Sequence, residues 1–226
     1  MAISRRMVAM KLIIGNKNYS SWSLRGWLML KAFEIPFEET LLPLFSEQFY
    51  AVLKDYTPVG KVPVLVDQDV SVWDSLAICE YLNETYLHGK AWPSDAQHRA
   101  VARAMVCEMH SGFSALRNEM PMNCRAHRSI SLSESAQQDV ARIDQLWARC
   151  LTRYAGGKPW LFGEFSIADV FFAPIVFRFK TYGISLSTES TAYQKRLLTH
   201  PAMQLWLAEA LKETAIVPED EAGEER

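Results

Sequence analysis

The feature that most limits what this chain can fold into is a change of rhythm partway along it. Between Lys11 and Tyr86 short apolar runs alternate with helical stretches, and after Asp95 every periodic segment is helical. Lys11–Gly15 is short, apolar and isoleucine-rich, and reads as a buried strand. Asn16–Ser23 is polar and predicts a loop. Leu24–Phe33 then places Leu24, Trp27, Leu28 and Phe33 on one helical face. Phe37–Leu42 predicts a second strand and Leu44–Tyr56 a weaker helix. Val62–Val66 and Val70–Trp73 predict two strands about the turn Asp67-Gln68-Asp69, and Ser75–Tyr86 a helix bearing Leu76, Cys79, Leu82 and Tyr86. Strands alternating with helices predict a central sheet with helices packed on it.

Residues 87–95 contain Gly89, Pro93 and Ser94 and read as a linker. Beyond it, Ala96–Met120, Ser133–Tyr154, Ser166–Tyr182, Glu189–Thr199 and Pro201–Glu213 all read as helices, the second with a stripe of Val140, Ile143, Trp147, Cys150 and Tyr154. The expected organisation is an extension over 1–10, an α/β domain over 11–86, the linker, an all-helical domain over 96–216 and an acidic tail over 217–226.

Composition narrows the function classes. The 226 residues are 49% hydrophobic and 22% charged, which suits a folded chain with a large core. A net charge of -2 excludes the broad cationic surface that phosphate backbones require. The charge is uneven, because the last ten residues carry five acids and one base, and with so little apolar surface that tail is expected to be a frayed, solvated end. Cys79, Cys107, Cys124 and Cys150 form no C-x-x-C pair, and the five histidines form no H-x-x-x-H pair, so no metal site is expected. No run reaches the ~18 apolar residues of a membrane span. A cytoplasmic protein without nucleic-acid or membrane partners is the expectation.

Three segments of the first domain carry chemistry. The loop Asn18-Tyr19-Ser20-Ser21-Trp22-Ser23-Leu24-Arg25 joins a strand to a helix, so its hydroxyls stand beside free backbone N–H groups and the positive end of the helix dipole. That setting favours an anion such as a thiolate; ordinary N-capping by Ser21 or Ser23 is the competing reading. In Thr57-Pro58-Val59-Gly60-Lys61-Val62-Pro63-Val64-Leu65 a proline precedes a strand. A cis Val62-Pro63 bond would turn the Val62 peptide groups outward to pair with an extended peptide, whereas a trans edge proline is the commoner solution. In Trp73-Asp74-Ser75-Leu76-Ala77-Ile78 a helix begins at Ser75, whose hydroxyl and N–H suit a carboxylate, with Asp74 placed to receive an ammonium. In the second domain, Ser166-Ile167-Ala168-Asp169 reads as a capping box with a structural Asp169, and Pro174 should bend the helix that follows.

Taken together, V-P-V-L followed by D-S-L-A-I-C-E-Y-L resembles the signature of the glutathione transferase superfamily, and S-S-W-S-L-R resembles the S-S-C-S-x-R loop of its zeta class. The resemblance covers residues 11–86, and the family's [ST]-x-A-D box is matched at Ser166–Asp169. It implies a thioredoxin-like N-terminal domain plus an all-α C-terminal domain, and a homodimer. It implies glutathione as co-substrate, without a metal, and a transferase joining it to small apolar electrophiles. It places the γ-glutamyl end on Asp74 and Ser75, the cysteinyl backbone on Val62 before Pro63, and the glycyl end near Gln48 and Lys61. The thiolate falls to Ser20, preferred from the zeta-like loop, or to Ser21 when counted back from Arg25. Trp22, His110, Phe113, Arg117 and the segment 120–125 are the candidates for an apolar electrophile pocket, Trp22 being equally suited to packing between the domains. The zeta loop has cysteine where Trp22 stands, which weakens isomerase and reductase readings; a glutathione-binding protein without catalysis is the other alternative.

Overall fold

The computed structural model describes residues 10–226, so the predicted extension lies outside the described residues except for Met10. The first half builds β1 (Lys11–Ile14), α1 (Ser21–Ala32), β2 (Glu38–Leu41), α2 (Glu47–Leu53), β3 (Val64–Asp67), β4 (Val70–Trp73) and α3 (Ser75–Thr85). The sheet runs β2-β1-β3-β4, with β1 parallel to β2 and antiparallel to β3, and β3 antiparallel to β4. Alternation along β1 explains the layering. Leu12 and Ile14 face a core shared with α1 and α3, while Ile13 faces the other way and packs with Leu42, Phe49, Leu53 and Val64 under α2. The first helix starts at Ser21 instead of the predicted Leu24, because Ser20 serves as its N-cap.

The second half builds α4 (Ala96–Ser111), α5 (Ser114–Glu119), β5 (Arg128–Ser129), α6 (Glu134–Arg153), α7 (Ile167–Thr181), α8 (Thr188–Leu198), α9 (Pro201–Ala210) and β6 (Glu224–Glu225). The expected architecture, a thioredoxin-like α/β sheet followed by a helical bundle, is present. Two expectations within it need correction. The helix predicted over Ala96–Met120 is broken, because Gly112 is extended and Phe113 takes a positive φ of 54°, which no α-helix accommodates. The acidic tail is docked instead of frayed: β6 pairs antiparallel with β5, and the Glu221 carboxylate bonds Tyr19, Asn123 and Arg128.

The helix α7 is apolar on all sides and buried almost throughout, as expected of a central helix. It packs on α1 and α4, so a single core runs through both halves. The capping box at its start forms, and Asp169 accepts from the N–H groups of Leu161 and Ser166 and from the Tyr193 hydroxyl. Burial pushes the Asp169 carboxyl up to about 6. Pro174 lies within α7 without ending it.

Candidate functional site

The loop between β1 and α1 is held in place from the far end of the chain. The Glu213 carboxylate accepts the N–H of Lys17 at 2.7 Å and of Asn18 at 3.0 Å. The Asn18 side chain donates to Asn123 and accepts from the N–H of Arg125, and the Arg125 guanidinium donates to the Tyr19 hydroxyl. The Lys17 ammonium is buried between Trp27 and Trp206 and paired with Glu39 of β2 and Glu209 of α9. Together these contacts fix where the N-terminus of α1 points.

A cavity of about 590 Å³ opens beside that helix terminus, between the two halves. Val59, Lys61, Val62, Pro63, Trp73, Asp74 and Ser75 form one wall, and Trp22 and Arg117 form the other. The Val62-Pro63 peptide is cis, and among the described residues neither the N–H nor the C=O of Val62 finds a hydrogen-bond partner. Gly26 of α1 lies against this turn; a Cβ there would stand 3.3 Å from the Pro63 ring, closer than ordinary contact. Asp74 has φ 73°, an uncommon conformation for a residue with a side chain, and caps α3 by accepting from Leu76 and Ala77. Its other oxygen lies 3.1 Å from His110 Nε2. The Ser75 hydroxyl is buried at the first position of α3 and has no partner among the described residues. A polar atom left so is rare enough in a folded protein to require an explanation.

The opposite wall is cationic. The Trp22 ring has the Arg25 guanidinium 4.5 Å and the Arg117 guanidinium 5.1 Å from its centroid, with the His110 ring edge-on at 5.4 Å. Arg25 and Arg178 lie beneath, wholly buried. Burial, with repulsion from Arg117, brings Arg25 down to about 9 and Arg178 to about 10, so both stay charged at neutral pH. Among the described residues no carboxylate forms an ion pair with Arg25, Arg117 or Arg178. Burial also holds His110 below its ordinary value, against the opposing pull of Asp74.

The structure thus gathers Trp22, Lys61, Val62, Pro63, Asp74, Ser75 and Arg117 at one cavity, with His110 touching Trp22, Asp74 and Arg117. It does not place Gln48, Phe113, Ser20 or Ser21 on the wall. Gln48 is exposed on α2, and Phe113 is buried at the break before α5. Ser20 caps α1, and Ser21 opens it. The segment 120–125, expected to line an apolar pocket, does not do so. Met120, Met122 and Cys124 are core residues, and Asn123 and Arg125 hold the first loop and the tail. Among the described residues no group of three or more His, Cys, Asp or Glu side chains is placed to hold a metal, and no helix is long and apolar enough to cross a membrane. Val59, Trp73, Arg25 and Arg178 escaped the sequence reading as site residues. The two arginines had a signal, since each interrupts an otherwise apolar, core-facing helical run.

A four-stranded α/β unit whose cis-proline cradle opens onto a mostly helical unit defines a two-domain fold of the thioredoxin-like kind. Residues 19–85 match the family model described as Glutathione S-transferase, N-terminal domain, and residues 133–209 that described as Glutathione S-transferase, C-terminal domain. Together the two cover more than half of the chain, which belongs to the glutathione transferase family. A probable maleylacetoacetate isomerase of Caenorhabditis elegans is 30% identical over 173 residues, 76% of this chain and 79% of that one. Glutathione S-transferase Z1 of Arabidopsis thaliana is 29% identical over 171 residues, 70% of this chain and 74% of that one. Among solved structures, a Burkholderia glutathione transferase homolog with bound glutathione superposes with a TM-score of 0.69 at 23% identity, covering 89% of this chain and 98% of that one. At that identity the likeness is one of fold.

Proposed function

We propose that this chain is a glutathione transferase in which a hydroxyl at the start of α1, from Ser20 or Ser21, holds the glutathione thiolate for attack on a small electrophile with an apolar body. The observation that carries the reading is the pair of unsatisfied groups on one wall: the free peptide of Val62 and the buried, unpartnered hydroxyl of Ser75. An extended peptide laid along Val62 gains two backbone hydrogen bonds, and a carboxylate at Ser75 gains a hydroxyl and the N-terminus of α3. Asp74 receives the γ-glutamyl ammonium in competition with His110. Lys61 is the nearer of the two candidates for the glycyl carboxylate, since Gln48 lies away from the wall. In a displacement on an aryl halide the sulfur–carbon bond forms, halide leaves, and the thiol proton has already passed to water.

Glutathione-dependent isomerisation is the second reading. The 30% identity to a probable maleylacetoacetate isomerase favours it, and Trp22 in place of the loop cysteine weighs against it. Calorimetry with glutathione tests the shared premise. Parallel assays with a model aryl halide, maleylacetone and a peroxide then separate transferase, isomerase and reductase. Binding without turnover on any of them supports a carrier, and no heat at millimolar glutathione refutes the reading.

A further inference from the structure

The Asp74 carboxylate meets both halves of the molecule. One oxygen caps α3, accepting from the N–H groups of Leu76 and Ala77. The other lies 3.1 Å from Nε2 of His110, in the last turn of α4. Asp74 lines the cavity and its side chain is 45% exposed, so a ligand can reach it. The imidazole is more enclosed. Its ring meets Trp22 edge-on at 5.4 Å and Phe171 at 6.0 Å, and its Nδ1 is buried without a partner among the described residues. The charged groups that reach the ring are Asp74 at the start of α3, Arg25 of α1 and Arg117 of α5, while α7 offers it the uncharged Phe171.

That setting makes a charge on His110 costly. Burial holds the ring below its ordinary 6.5, Asp74 pulls the other way, and Arg25 and Arg117 add to the depression. The neutral and charged rings leave different things for a ligand. A carboxylate has no proton to give, so a neutral ring faces Asp74 as a donor and the carboxylate keeps its full charge for an incoming ammonium. Beside an imidazolium that charge is already neutralised. An ammonium arriving there adds one more cation to His110, Arg25 and Arg117, and like charges at such range disfavour each other's charged form.

We propose that the ammonium of glutathione and a proton on His110 compete for Asp74, which makes His110 a specificity-determining residue of the γ-glutamyl subsite. The site takes up glutathione with its imidazole neutral and expels the ring proton to water when it does so; no bond in the ligand changes. The inference rests on the glutathione-binding part of the transferase reading and is independent of which hydroxyl holds the sulfur. Linkage is reciprocal: the factor by which the ammonium weakens proton binding at His110 is the factor by which the proton weakens binding of the ammonium. Affinity is therefore greatest with the ring neutral and falls as pH drops and the ring gains its proton.

The probe is S-methylglutathione, which keeps the ammonium and both carboxylates and has no thiol to ionise. None of its groups titrates between about pH 5 and about pH 7, the range in which a histidine does. Calorimetry on the intact protein should show binding about fivefold or more weaker at the acid end of that range. In buffers of different ionisation enthalpy it should also show release of up to about one proton per ligand at the acid end and none at the other. His110→Gln, which keeps a donor but does not titrate here, should bind with an affinity that hardly changes across the range and release no proton. S-methylglutathione acetylated on its amine should bind wild type more weakly and without the pH-dependence. A flat wild-type profile, or an unchanged slope in His110→Gln, overturns the proposal. An unchanged slope with the acetylated probe overturns it as well, since the ammonium is then not the competitor. If His110→Gln does not fold, the buffer series and the acetylated probe on wild type still decide. Failure of wild type to bind S-methylglutathione anywhere in the range, by contrast, removes the glutathione reading itself.

Discussion

Replacing Lys17 by methionine tests how the two halves of the chain are joined. The Lys17 side chain is 1% exposed and its ammonium stands 2.8 Å from Glu39 Oε1, where Glu39 is 29% exposed. Methionine matches the stem in length and keeps the contact with Trp27 and Trp206, so the substitution removes chiefly the charge. Breaking a fully buried ion pair costs about 3–5 kcal/mol, and the partial hydration of Glu39, with the bond it keeps from Trp27 Nε1, reduces that to about 2–3 kcal/mol. The loss of the cation over two indoles adds about 1 kcal/mol. Glu209 is 52% exposed, and its share should stay below about 1 kcal/mol. For a chain of this size each kcal/mol corresponds to about 2–4 °C, so Lys17→Met should lower the melting midpoint by about 6–15 °C and Glu209→Gln by less than about 4 °C. Differential scanning calorimetry reads both. A Lys17→Met midpoint within about 2 °C of wild type would refute the reasoning, since it would mean that the ammonium and its carboxylates gain nothing from each other at the seam.

Two further outcomes follow from individual groups. Because the Ser75 hydroxyl has no partner among the described residues, Ser75→Ala should leave the melting midpoint nearly unchanged while weakening glutathione binding about tenfold to a hundredfold by calorimetry; equal affinity would remove Ser75 from the site. Burial raises the Asp220 carboxyl to about 6, aided by Glu219 and Glu221 and opposed by Arg178. A carboxyl raised in the folded state binds its proton more tightly there than in the unfolded chain. Its stabilising contribution is complete below the unfolded value near 3.8 and is lost as pH climbs through about 6. The stability of wild type relative to Asp220→Asn, from urea unfolding, should therefore fall between those two pH values and level off above them; a difference that rises there contradicts the burial of Asp220.

The sequence alone was enough for most of what depends on neighbours along the chain, though not for the start of α1 at Ser21 or the break at Gly112 and Phe113. The strand of Lys11–Ile14, the helix begun at Ser75, the cap at Ser166 and Asp169 and the change from alternating to all-helical rhythm are local patterns of period, cap and turn, and each is readable within a few residues. The wall bearing Val62, Asp74 and Ser75 was legible for the same reason, since a proline before a strand and a serine opening a helix are themselves short motifs. What lay beyond reach depends on groups brought together from far apart. Residues 217–226 are polar enough to read as a loose end, and only the edge offered by Arg128–Ser129 and the arginines around Glu221 dock them. Ser20 and Ser21 are adjacent and chemically identical in sequence. Folding gives them different partners: Ser20 caps α1, while Ser21 accepts from Arg178, 157 positions away, which also donates to the carbonyls of Arg117 and Met120. Local pattern sets which segments become helix or strand, and long-range contacts, invisible until the chain has closed on itself, set which charged and polar groups meet.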